Sequence, residues 1–221
     1  VIISQMAILD PTNFIITRKR KLYKFALFNN SSICFEFNQW KKENSTTHNL
    51  EIGAGTGLFS VRLAAKNPEK KFVAIDVKAD RLVKGAQKAE AENVKNIRFL
   101  RARADQLTQS FEPGSVRYIW ITFPDPYPKG RNAGRRLTAP TFLKIYQELL
   151  MDGGALYFKT DATELFKWSL EQLVKEGWQI QRLSFDLHES DLNDNYKVMT
   201  TYESRFTKEG LKINFVRALP P

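Results

Sequence analysis

The sequence predicts an α/β fold, Rossmann-like and doubly wound, whose seven-stranded sheet is mostly parallel with an antiparallel last strand. Three observations predict it. From residue 48 onward, short runs rich in β-branched and aromatic residues alternate with stretches whose apolar positions recur at helical spacing. The first run opens directly into a glycine turn, Gly53-Ala54-Gly55-Thr56-Gly57, as a parallel strand does before its crossover helix. The run 116–122 is apolar at successive positions from Tyr118 to Ile121, the pattern of a strand buried on both faces.

Composition bounds the rest. A chain of 221 residues buries a full core without disulfides or structural metals. We expect one α/β domain over residues 48–221, preceded by a basic N-terminal extension, residues 1–47. Lys and Arg number 34 against 24 Asp and Glu, a formal charge of +10. That excess favours a polyanionic partner through counterion release and steering. Nucleic acid is preferred to a membrane, because no segment approaches the roughly 20 apolar residues of a spanning helix. Residues 1–9 are too short for a signal peptide and lack its positive n-region. Cys34 is the single cysteine, which fits a reduced, cytoplasmic setting and a packing role. His48 and His188 each stand apart from any cysteine or second histidine, so no metal site is expected.

Within the extension, Arg18, Lys19, Arg20, Lys21 and Lys24 are interrupted by Leu22, Tyr23 and Phe25. That pattern reads either as a solvated helix face or as a contact to an RNA backbone. Residues 43–48 form a polar linker. The first strand ends at Leu50-Glu51-Ile52, the glycine turn follows, and residues 58–66 form a helix. Leu58 stands where a dinucleotide fingerprint continues towards its last glycine, which turns the reading away from a nicotinamide cofactor. A second strand, 71–75, ends in Asp76, placed to accept both hydroxyls of a ribose or to cap the helix 78–92. Glycine turn and strand-end acid together favour an adenosine-containing ligand. A third strand, 96–100, leads into Arg101-Ala102-Arg103-Ala104-Asp105, where such folds often place an acid or amide for the adenine amine. Asp105 either takes that role from two positions beyond Arg103 or caps the helix after it.

The stretch 119–137 is the centre of the functional reading. Its strand stops in Pro124-Asp125-Pro126-Tyr127-Pro128, and the loop runs on into Lys129, Arg131, Arg135 and Arg136. Prolines at alternate positions fix φ and forbid ladder pairing, so Asp125 and Tyr127 are expected in a stiff, extended loop. The carboxyl edge of an open α/β sheet is where ligands bind. A carboxylate beside cations suits a base on a phosphate chain, while the plain alternative is a proline-braced surface loop with a solvated charge run. Downstream, a helix is expected over 139–151 with Phe142, Leu143, Tyr146, Leu149 and Leu150 on one face, stopped by Asp152-Gly153-Gly154. A fifth strand, 155–160, ends in Asp161, followed by a helix over 163–175 and a strand over 178–185. The polar loop 186–195 holds His188 and Glu189, and Thr200-Thr201-Tyr202-Glu203 leads into a short helix and a last strand over 211–217.

These residues resemble the bacterial tRNA (guanine-N7-)-methyltransferases, which are class I S-adenosylmethionine-dependent enzymes. Four signatures occur in order: Glu51-Ile52-Gly53-x-Gly55-x-Gly57, then Phe123-Pro124-Asp125-Pro126-Tyr127-Pro128-Lys129 with Arg135-Arg136-Leu137, then Phe158-Lys159-Thr160-Asp161, then Thr200-x-Tyr202-Glu203. The first is shared with many methyltransferases, whereas the second and fourth together are specific. The match covers residues 48–217. It implies methyl transfer from S-adenosylmethionine to N7 of a guanine in tRNA, at position 46 of the variable region in the family. It implies cofactor binding by Glu51, Gly53, Gly55, Gly57 and Asp76, with Asp125 as the catalytic residue beside both cofactor and base. Lys129, Asp161, Thr200, Tyr202 and Glu203 are implied at the substrate guanine, and Arg131, Arg135 and Arg136 at the RNA backbone. Tyr127 stands in place of the family's usual tryptophan and Asp76 in place of its commoner glutamate. Arg103 occupies a cofactor-binding position where the family usually has aspartate, and a cation cannot accept the adenine amine's hydrogen bond. A monomer or homodimer is expected, with no obligatory protein partner.

Chemistry agrees with that implication. Guanine N7 carries an in-plane lone pair and no proton, so it attacks a sulfonium methyl without a general base. Alignment of the reacting atoms recovers up to about 7–11 kcal/mol of barrier in favourable cases. A carboxylate such as Asp125 or Asp161, accepting from guanine N1–H and N2–H2, attracts the positive charge that grows on the purine. Tyr127 either stacks on a base or packs under the loop. Two rivals compete: an exocyclic-amine methyltransferase, whose Asp-Pro-Pro-Tyr type of motif Asp125-Pro126-Tyr127 lacks by one proline, and a non-catalytic RNA-binding protein on a methyltransferase fold.

Overall fold

The computed structural model describes residues 19–40, 47–200, 203, 206–207 and 209–221. The expectations for Arg18, Thr201, Tyr202 and residues 43–46 lie outside them. The strands are β1 (Cys34–Glu36), β2 (Thr47–Ile52), β3 (Phe72–Asp76), β4 (Ile97–Arg101), β5 (Val116–Thr122), β6 (Leu150–Thr160), β7 (Gln179–Ser184) and β8 (Asn214–Leu219). They form one sheet in the order β1-β4-β3-β2-β5-β6-β8-β7. The last strand, β8, runs antiparallel between β6 and β7. The pairs from β1 across to β6 are parallel.

The described sheet has eight strands, one more than the sequence reading gives. The addition is β1, which pairs Cys34, Phe35 and Glu36 with Phe99, Leu100 and Arg101. Three residues are too few for alternation to register as a pattern. Before it, α1 (Lys19–Asn30) buries Ala26 and places Phe28 in the same core as Phe99.

Helices cover both faces. On one side Leu50, Ile52, Ile119, Ile121 and Phe158 pack with Leu143, Tyr146 and Leu149 of α4 (Pro140–Leu149). On the other, Phe72, Phe99, Trp120 and Phe215 pack with Phe59 of α2 (Leu58–Lys66) and Leu82, Val83 and Ala86 of α3 (Ala79–Ala91). Ile119, Trp120 and Ile121 are all buried, on alternate faces, which is why this part of β5 reads as an unbroken apolar run. Several boundaries move, among them the last strand, expected over 211–217 and found at Asn214–Leu219. The helix expected to 151 stops at Leu149, because Leu150 already pairs with Val116. Asp152-Gly153-Gly154 is then an irregularity inside β6, with Gly153 at φ 70° and a register shift opposite Val116 and Tyr118. Among the described residues, no helix is long and apolar enough to cross a membrane.

After β2 the chain moves to one side of the sheet, through β3 and β4, and β5 lies on the other side of β2. The crevice beyond the carboxyl ends of β2 and β5 is therefore the topological switch point, where open sheets of this kind bind ligands.

Candidate functional site

A cleft of about 490 Å³ occupies that switch point. One half is built from the ends of β2 and β3. Gly53, Gly55 and Gly57 all have positive φ, at 70°, 58° and 68°. At Gly57 a Cβ would also stand 2.7 Å from the Phe99 ring, so both conformation and space require glycine there. Asp76 fastens the turn: its Oδ2 accepts from the Gly55 amide at 2.8 Å and its Oδ1 from the Lys78 amide at 2.9 Å. Gly85, in the middle of α3, was not singled out by the sequence reading. A Cβ on it would overlap the Thr56 carbonyl, so this glycine lets α3 approach the turn. A glycine inside a helical pattern costs stability and is the signal that points to such packing.

Beneath the turn, Glu51 is buried and lines the cleft floor. Ser60 donates to its Oε2 at 2.6 Å and Thr122 to its Oε1 at 2.8 Å. Burial pushes its carboxyl up to about 7, against the lowering effect of those hydroxyls, and the nearby Asp76 adds to the rise.

The other half is the Pro-Asp-Pro-Tyr-Pro loop. It does not run extended throughout: Phe123 and Tyr127 sit in the left-handed region, at φ 49° and 42°. Such residues cost about 1–3 kcal/mol each and persist only when neighbours hold them. Three hydrogen bonds do so here. The Phe123 amide donates to the Lys159 carbonyl at 2.9 Å. Arg136 donates to the carbonyls of Pro126 at 3.2 Å and Tyr127 at 3.0 Å, with its guanidinium 4.4 Å above the Trp168 ring. Asp125 stands exposed on the cleft rim between these corners, and Arg135 lies 4.7 Å over the Tyr127 ring.

The cleft brings together Glu51, Gly53, Gly55, Asp76, Asp125, Tyr127, Arg135, Asp161 and Thr200. Lys129 and Arg131 are exposed beside it without lining it. Three expectations are corrected. Arg136 is only 9% exposed and braces the loop from within, so it does not face an RNA backbone. Arg103 is outside the lining and ion-paired with Asp105, both side chains exposed, while Ala102 and Ala104 face the cleft in their place. Beyond the end of β4 the backbone at Arg103 is still extended, at φ −91° and ψ 154°, which turns its side chain to the side opposite that of Ala102. Glu203 does not touch the cleft either: it is fully buried against Lys159, His188 and the Thr200 amide. Nothing local in the sequence marks the meeting of Lys159 and His188 at this carboxylate, since they lie 44 and 15 positions from it. Burial lowers the Lys159 ammonium pKa, opposed by the carboxylates of Glu203 and Glu51.

A family model described as putative methyltransferase matches residues 45–216. A tRNA (guanine-N(7)-)-methyltransferase of Brevibacillus brevis is 39% identical over 182 residues, covering 81% of this chain and 84% of that protein. The protein of the same description from Bacillus subtilis is 38% identical over 170 residues, covering 77% and 79%. Among solved structures, the 16S rRNA methyltransferase KamB superposes with a TM-score of 0.61 at 16% identity, covering 84% of this chain and 93% of that one. A SAM-dependent methyltransferase from Aquifex aeolicus gives 0.54 at 15%, covering 82% and 85%. Likeness at such identities shows a shared fold.

Proposed function

The chain belongs to the tRNA (guanine-N7-)-methyltransferase family, and from that premise we propose that its cleft brings S-adenosylmethionine against a guanine of tRNA and passes the methyl group to base nitrogen N7. The observation that carries this reading is that one cleft is bounded by the glycine turn and Asp76 on one side and by Asp125, Tyr127, Arg135 and Asp161 on the other.

The cofactor side fits such a group. Nothing stands within 4 Å of where a Cβ on Gly55 would be, so this backbone faces open space beside the Asp76 carboxylate. A carboxylate oxygen has two lone pairs, so each Asp76 oxygen that holds an amide can still accept from a ribose hydroxyl. Val77, 50% exposed, puts an apolar surface next to it for the adenine face. Glu51, Gly53, Gly55 and Asp76 would hold the cofactor, while Gly57, outside the lining and packed on Phe99, shapes the turn. When bound, S-adenosylmethionine supplies an electrophilic methyl carbon on a sulfonium.

On the base side, N7 needs no deprotonation, so Asp125 and Asp161 act by position and charge. A carboxylate that accepts from N1–H and N2–H2 selects guanine, since adenine presents no such pair of donors. Its attraction strengthens as positive charge develops on the purine, which lowers the barrier rather than merely tightening binding. The left-handed corners at Phe123 and Tyr127 hold Asp125 in place before substrate arrives, so little entropy is lost in ordering it. Arg135, Lys129 and Arg131 hold phosphates, which fixes register without reading sequence. With tRNA as substrate, the cytoplasm is the place of action.

Labelled S-adenosylmethionine and unmodified tRNA, followed by cleavage at N7-alkylated guanines, test the assignment. The expected result is one cleavage band within the variable region. Incorporated label with no cleavage would move the methyl to another atom and overturn it.

A further inference from the structure

Behind the base side of the cleft lies a polar network that the proposed chemistry does not use. Lys159 and Glu203 are both fully buried. Lys159 Nζ stands 3.3 and 3.5 Å from the two Glu203 oxygens and donates to the Val198 carbonyl at 3.0 Å. Its own carbonyl accepts from Phe123, so the same residue anchors the Asp125 loop. Glu203 and Thr200 form a reciprocal cap: the Thr200 amide donates to Glu203 Oε2, and the Glu203 amide to Thr200 Oγ1, each at 2.9 Å. Thr200 and Phe206 line the cleft, and the Phe206 ring lies 5.9 Å from that of Phe123. The remaining partner comes from elsewhere. His188, on the loop after β7, places Nε2 2.8 Å from Glu203 Oε1, and residues 186–195 contribute nothing to the cleft lining.

We propose that His188 is a positioning residue for the base-binding wall: its Nε2–H donates to Glu203, and so holds Thr200 and Phe206 against the Asp125 loop. The Lys159 ammonium serves three acceptors at once, two of them at 3.3 Å or beyond, which leaves Oε1 dependent on a second donor. His188 supplies the shorter contact. A buried carboxylate deprived of a partner recovers by moving, and the cap that includes Thr200 moves with it. The kinetic part of this inference rests on the proposed function; the structural part does not.

The test compares His188→Ala with His188→Gln, which keeps a side-chain N–H donor. Hydrogen exchange at the Thr200 amide should speed up about tenfold in the alanine variant and return towards wild type in the glutamine variant. KM for tRNA should rise by a similar factor, while the Kd for S-adenosylmethionine stays within about twofold. Unchanged Thr200 exchange in His188→Ala overturns the proposal. So does a glutamine variant as impaired as the alanine one, or a loss of cofactor affinity matching the rise in KM, which marks general loosening. If the wild type does not methylate tRNA at N7, the functional reading fails, and the exchange comparison still decides the role of His188.

Discussion

Arg136 donates to the carbonyl of Tyr127 at 3.0 Å, so a cation taken from a basic run serves as an internal brace of the loop that carries Asp125. Its neighbour Arg135 points the other way, exposed at the cleft and stacked on the ring of the same tyrosine. Two adjacent arginines thus have separable tasks.

Arg136→Ala is expected to lower stability by about 1.5–3 kcal/mol, because it strips two carbonyls of a charged donor and exposes Trp168. Arg135→Ala should leave stability within about 0.5 kcal/mol and reduce the slope of log tRNA affinity against log salt by about 0.7–0.9. Denaturant melts and salt-dependent binding check the pair. A reduced salt slope in a well-folded Arg136→Ala protein would reverse the assignment.

Asp125→Ala should abolish methyl transfer while leaving tRNA affinity nearly intact, since the phosphate-holding cations are untouched. Single-turnover rates with saturating tRNA read this directly. Turnover at the wild-type rate would remove Asp125 from the active centre.

Asp76 holds the Gly55 and Lys78 amides at once. Asp76→Ala should weaken S-adenosylmethionine binding about 10–100-fold, the worth of one charge-assisted hydrogen bond plus a loosened turn. Asp76→Asn, with one acceptor oxygen left, should fall between the two in titration calorimetry. Wild-type affinity in the alanine variant would show that the strand-end acid is dispensable.

Glu51 supplies a pH signature. Its folded carboxyl sits at about 7, above the ordinary 4.5, so the folded state holds its proton more tightly than the unfolded chain. That contribution is fully present below about pH 4.5 and is lost as pH rises through about 7, some 3 kcal/mol in all. Glu51→Gln, which has no proton to lose, should lack this decline. Urea unfolding of both proteins at pH 5 and pH 8 measures it, and parallel losses in the two proteins would assign the slope to other groups.

The sequence by itself determined the parallel core of the sheet, its direction and which acidic residues stand at its carboxyl edge. Periodicity, a glycine turn and strand-end acids are local signals, and they set Glu51, Asp76, Asp125 and Asp161 at the ends of successive parallel strands. Pairings between residues far apart in the chain were decided only by the tertiary structure. β1 is legible only once it lies beside β4, and Lys159 meets Glu203 across 44 positions. The direction of a side chain follows from what surrounds it, so no spacing could tell that Arg136 turns inward and Arg135 outward. Nor could spacing tell that Glu203, standing in a motif taken for substrate contact, is buried behind the wall it supports.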